Sequence, residues 1–159
     1  AVVVPVNLYG PGDNFDPRSS HVVPALIRKC VEARARGAAE VVCWGTGTAT
    51  REFLYVDDAA EGVVRAAEVL EEPVPVNLGG GAEISIRELA QKIAKACDFC
   101  GRIVWDTSRP DGQPRRALDI TQARRRLAWE PKQNFDVGLA ATVRWWREQG
   151  TSAPDPGSP

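Results

Sequence analysis

The sequence predicts an α/β fold, and three observations carry that prediction. The chain opens on Ala1-Val2-Val3-Val4, an apolar run without in-and-out alternation, as in a parallel strand covered on both faces. Helical apolar stripes then follow the strand-like runs, so strands and helices alternate along the chain. The helix starts and stops are chemically marked. The clearest is Ser85-Ile86-Arg87-Glu88, a capping box with Ile84 and Leu89 placed as its hydrophobic staple.

Residues 1–5 read as a strand. Pro5 through Gly12 leaves it as an irregular loop, since its glycines and prolines forbid helix. That loop lies at the carboxyl end of the strand, where open α/β sheets place ligands. Ser20 is expected to cap a helix over residues 21–36, with Pro24 in its first turn and Gly37 ending it. Short strands at 41–43 and 53–56 flank a loop. Asp57 or Asp58 caps a helix to about residue 70, with Ala60, Val63, Val64 and Ala67 inward. A strand at 75–79 runs into Gly79-Gly80-Gly81. The capping-box helix reaches about Asp98, and a strand follows at 102–106. An extended loop covers 107–116. Asp119 caps a short basic helix, and a last helix runs over 134–149. Residues 150–159, rich in Pro, Gly and Ser, are expected to form a flexible tail.

Strands 1–5 and 75–79 look like members of one sheet whose other strands are missing. Strands 41–43 and 102–105 fit a small second sheet, paired in parallel. A chain that opens inside a strand reads as a piece of something larger.

With 159 residues the chain has the size of one domain. A formal net charge of −1 provides no field to draw it to nucleic acid or an anionic membrane. No apolar run has the length of a membrane span. Cys97 and Cys100 have metal or redox spacing, but there is no second pair and His21 is distant. The cysteines therefore read as free thiols packed as small hydrophobes in a reducing cytoplasm, with no metal.

The stretch Trp44-Gly45-Thr46-Gly47-Thr48-Ala49-Thr50-Arg51 carries chemistry on either of two readings. As a clamp, the indole offers a stacking face and Arg51 a planar fork for phosphate. As a plain hairpin, Trp44 is core, Arg51 is solvated and the glycines only turn the chain.

Four blocks of this sequence resemble the GDP-L-fucose synthase family, within the extended short-chain dehydrogenase/reductase superfamily. They are Asn7-Leu8-Tyr9-Gly10-Pro11-Gly12-Asp13-Asn14-Phe15, then Ser20-His21-Val22-Val23-Pro24-Ala25-Leu26-Ile27-Arg28-Lys29, then Trp44-Gly45-Thr46-Gly47 with Arg51-Glu52-Phe53-Leu54-Tyr55-Val56-Asp57-Asp58, and Pro110-Asp111-Gly112-Gln113-Pro114-Arg115. The likeness runs over residues 1–149. It implies the carboxyl-terminal half of an extended dehydrogenase: an incomplete Rossmann sheet plus a small α/β substrate-binding domain. The family's glycine-rich dinucleotide loop and Tyr-x-x-x-Lys pair belong to the other half. Neither occurs here, because Tyr9 is followed four residues on by Asp13, and Tyr55 by Ala59.

The resemblance implies epimerisation of GDP-4-keto-6-deoxy-mannose beside its keto group, then reduction by NADPH. It makes His21 the acid–base residue, and sets Pro5, Val6, Asn7 and Leu8, with His21, along NADP. Lys29, Trp44, Arg51 and Asp111 would contact the GDP-sugar. Arg115 and Arg116 either reach phosphate or are merely solvated. Another nucleotide-sugar epimerase or dehydratase, or a stand-alone binding domain without catalysis, is the alternative. A free sheet edge at residues 1–5 predicts self-association.

Overall fold

The computed structural model describes residues 1–150. Its elements alternate as predicted: β1 (Val3–Pro5), β2 (Asn7–Tyr9), α1 (Val22–Ala35), β3 (Glu40–Trp44), β4 (Thr50–Tyr55), α2 (Val56–Val69), β5 (Val76–Leu78), β6 (Glu83–Ser85), α3 (Ile86–Ala96), β7 (Arg102–Asp106), β8 (Arg115–Arg116), α4 (Thr121–Leu127) and α5 (Phe135–Gly150). Gly150 closes α5, and the rest of the expected tail, 151–159, lies outside the described residues.

The predicted parallel pair of β3 with β7 forms, and β1 and β5, expected as members of one sheet, also pair in parallel. β1 lies beside β5 with Val3 opposite Val76, and β3 beside β7 with Trp44 opposite Asp106. A third sheet was not anticipated. The expected loop after β1 contains β2, and the expected loop before α4 contains β8; both pair with β4. β4 is shared along its length. Residues Phe53 to Tyr55 pair with β2, while Thr50 to Glu52 pair with antiparallel β6, and Thr50 and Arg51 also pair with parallel β8.

Successive side chains of a strand face opposite sides, and β4 uses this to serve two cores. Phe53 enters a cluster with Ile27, Cys30, Cys43, Leu89 and Ile93 from α1, β3 and α3. Leu54 enters another with Val76, Leu78, Ala66 and Ala123 from β5, α2 and α4, and with Trp129 just after α4. This division matches an incomplete sheet plus a small α/β unit. Among the described residues β1 has one strand neighbour, and Val2 before it and Val4 within it are each 41% exposed.

Three local expectations fail for identifiable reasons. His21, not Ser20, is the N-cap of α1, and no side chain caps that helix. Pro24 occupies the third helical position, so one amide that a cap would satisfy does not exist. Tyr55 precedes α2, placing Asp57 and Asp58 in its first turn, where carboxylates suit the helix dipole. The inward face of α2 is Asp58, Ala59, Gly62 and Ala66, and Val63 and Val64 are exposed. Close packing decides this face: a Cβ on Gly62 would come within 2.9 Å of Leu78 and 3.1 Å of Trp129. By contrast, Glu88 N donates to Ser85 Oγ at 3.1 Å, as a capping box requires.

Cys30, Cys43 and Cys97 are buried thiols and Cys100 is exposed, none in a disulfide. Burial pushes Cys30 and Cys97 up to about 12, which keeps both protonated.

Glu52, 3% exposed, joins the two halves of this arrangement. Its Oε1 accepts from Gly81 N at 2.7 Å and its Oε2 from Leu118 N at 2.8 Å. Glu52→Ala leaves both amides without their acceptor and is expected to lower unfolding free energy by about 3 kcal/mol. Glu52→Gln keeps one acceptor and loses less. Urea denaturation of the two variants checks this order, and equal losses would refute it.

Candidate functional site

The glycine loop after β3 is held from two sides. Gly45 and Gly47 take φ of +77° and +75°, a conformation that L side chains resist. On one side, Asp111 Oδ1 accepts from Thr46 N at 2.6 Å and Gly47 N at 3.3 Å, and Oδ2 accepts from Thr46 Oγ1 at 2.8 Å. A Cβ on Gly45 would strike that carboxylate. On the other side, a Cβ on Gly47 would come within 2.6 Å of the Trp105 indole. The Arg87 guanidinium lies 4.8 Å from that indole and donates to the Thr46 carbonyl. The loop amides thus hold a carboxylate of their own chain. The same contacts with Thr46 and Gly47 hold the Asp111 carboxyl below its ordinary value.

Trp44, at the end of β3, is 66% exposed, so the core reading of this residue fails. Two cations flank its ring: Lys29 Nζ at 5.9 Å and Arg109 Cζ at 5.3 Å. Lys29 comes from α1 and also donates to the Val42 carbonyl at 3.1 Å. Arg51 is half-buried, donates to the Thr50 carbonyl at 2.7 Å, and lies in register with Arg116 across β4 and β8. A Cβ on Gly112 would lie 4.0 Å from Arg51 Nη2, so the Asp111 loop runs beside it. Lys29, Trp44, Arg51 and Asp111 therefore gather around one loop from four places in the sequence.

The two arginines left open by the sequence separate here. Arg115 pairs with Glu83, both carboxylate oxygens lying 3.0 Å from Nε. Arg116 makes no ion pair among the described residues and sits beside Arg51, an unfavourable register for like charges. Arg109 was missed in sequence. Its only signal was a basic side chain just before Pro110-Asp111-Gly112.

Pro5, Val6, Asn7, Leu8 and His21 occupy a second neighbourhood. Val6 N donates to Leu78 O at 2.9 Å, and Asn7 Nδ2 to Glu52 O at 2.9 Å. The Pro5 to Leu8 segment thereby bridges the β1–β5 and β2–β4 pairs. Leu8 and Asp13 border a small cavity of about 120 Å³ with Gly10 and Val56. His21 is exposed at the start of α1, near Asp13. Burial pushes the Asp13 carboxyl up, while its hydrogen bond from Asn14 and the nearby His21 pull it down. A separate cavity of about 270 Å³, between Tyr9, Tyr55, Ile84 and Phe135, is lined by none of the predicted site residues.

Residues 1–79 match the model of the NAD dependent epimerase/dehydratase family. The chain is 47% identical over 150 residues to a probable GDP-L-fucose synthase 1 of Oryza sativa subsp. japonica, covering 94% of this chain and 45% of the rice protein. It is also 47% identical over 155 residues to GDP-L-fucose synthase of Escherichia coli strain K12, covering 92% and 48%. A GDP-L-fucose synthetase from Naegleria fowleri, solved bound to NADP, superposes with a TM-score of 0.88 at 34% identity, covering 96% of this chain and 48% of that one. The chain spans about half the length of the curated relatives it matches.

The depressed Asp111 carboxyl makes the loop tie pH-dependent. It is present above the ordinary value of 3.8 and is lost as pH falls through the lower folded value. Amide shifts of Thr46 and Gly47 should move together in a single transition below pH 3.8. In Asp111→Asn that transition should vanish. NMR titration checks both, and a midpoint at or above the ordinary value would contradict the tie.

Proposed function

We propose that this chain is a relative of the GDP-L-fucose synthases within the extended short-chain dehydrogenase/reductase superfamily, and that residues 1–149 are the carboxyl-terminal, substrate-binding part of an NADP-dependent epimerase/reductase acting on a GDP-sugar. The observation that supports this best is the placing of Lys29 at the exposed Trp44 ring and of Arg51 beside the Asp111 segment that holds the rigid glycine loop. An indole face suits a nucleobase. A guanidinium fork and an ammonium suit a diphosphate, and in this reading Arg51 and Lys29 neutralise it. Asp111 keeps the loop in place and retains lone pairs for a sugar or ribose hydroxyl.

His21 moves the proton beside the keto group. An exposed imidazole can serve as either general base or general acid. The acid or base on the opposite face of the sugar comes from the other half of the enzyme. When bound, NADPH supplies the hydride that reduces the ketone. The Pro5 to Leu8 segment fits the nicotinamide end: Asn7 keeps its second amide N–H and its side-chain oxygen beyond the bond to Glu52. Because neither Tyr9 nor Tyr55 has a lysine four residues on, this chain alone binds without reducing. The four unpaired cysteines suit a cytoplasmic protein. The edge of β1 left unpaired among the described residues, with Val2 before it and Val4 within it exposed, supports association through that strand.

Calorimetry on the chain tests the reading. It should bind GDP-fucose more tightly than UDP- or dTDP-sugars. Trp44→Ala and Arg51→Ala should each weaken GDP-fucose roughly tenfold or more, while the chain alone oxidises no NADPH. Equal affinity for all three nucleotide sugars, or an unchanged affinity in Trp44→Ala, would overturn it.

A further inference from the structure

We propose that Arg109 is a further phosphate-binding residue beside Trp44, a proposal that rests on the nucleotide-sugar reading above. Its position is built, not incidental. Asp106 lies opposite Trp44 in the β3–β7 register, and a tight turn starts there. Arg109 N donates to Asp106 O at 3.3 Å, and Ser108 N and Oγ donate to Asp106 Oδ1 at 3.1 and 2.6 Å. That turn brings the Arg109 guanidinium over the Trp44 ring, with Cζ 5.3 Å from the centroid.

A guanidinium against an indole offers its face to the ring and keeps its N–H donors pointing around the rim. Those donors are lightly engaged. The carboxylate paired with Arg109 is Asp106, at 3.8 Å from Nε, and its other oxygen already serves Ser108. Lys29 approaches the same ring and donates to a neutral carbonyl. Two cations therefore approach one aromatic ring with a single, half-occupied carboxylate. Such a surplus of positive charge beside a stacking surface fits a ligand that is flat at one end and doubly anionic at the other, a nucleoside diphosphate. The base lies on Trp44, and Arg109 turns its donors to the phosphates.

Calorimetry of the full chain with GDP and with guanosine separates the outcomes. Arg109→Ala should weaken GDP about tenfold, as expected for lost charge-assisted bonds, and leave guanosine within about twofold. Arg109→Lys, which keeps charge without the fork, should recover part of the loss. The salt dependence of GDP binding should flatten in Arg109→Ala. Unchanged GDP affinity in Arg109→Ala overturns the proposal while leaving the nucleotide-sugar reading intact. Equal losses for GDP and guanosine also overturn it, since Arg109 then only covers the ring. Absence of GDP binding by the unaltered chain overturns the nucleotide-sugar reading and this proposal with it.

Discussion

The buried carboxylate of Glu52 is the constraint on which the rest of the arrangement depends. A charge taken out of water must be met by donors, and Glu52 meets the amides of Gly81 and Leu118. Those amides belong to the segments that follow β5 and precede α4. The carbonyl of the same residue accepts from Asn7. One position on β4 therefore fixes the strand before α1, the glycine turn after β5 and the approach to α4. Arg51 precedes Glu52, so the orientation of the site arginine is inherited from this knot.

Asp58 repeats the device one helix turn after β4. Its Oδ2 accepts from Lys132 N and Gln133 N, and its carbonyl from Trp129 Nε1. The segment leading into α5 is thereby tied to the start of α2. Two mostly buried carboxylates, both satisfied by backbone donors, hold irregular segments that have little regular pairing of their own. This suits a fold whose longest strand has six residues, where ladder bonds alone cannot fix the loops.

The site applies the opposite rule. Lys29, Arg51, Arg109 and Arg116 lie around Trp44 and the Asp111 loop, and the carboxylates near them are occupied by local donors. Asp111 holds the glycine loop and Asp106 holds a turn. Rigidity is assigned to the acids and uncommitted charge to the bases. Donors already in place lose little freedom when a ligand arrives, so this arrangement suits the proposed binding of an anion. The exposed ion pairs elsewhere, such as Lys132 with Glu61, contribute little by comparison.

The sequence by itself determined what depends on short spacing: the alternation of strands and helices, the Ser85 cap, the stop at Gly37, and the family blocks that single out His21, Lys29, Trp44, Arg51 and Asp111. These are written within a few residues of one another, where backbone sterics and local hydrogen bonds act. Only the tertiary structure decided which face of α2 is inward, because Gly62 must admit Leu78 and Trp129, residues distant along the chain. It alone exposed Trp44, bound Asp111 to the loop, separated Arg115 from Arg116 through Glu83, and brought Arg109 over the ring. Each of those outcomes is a contact between segments far apart in sequence, and a one-dimensional pattern records the residue types but not which of them meet.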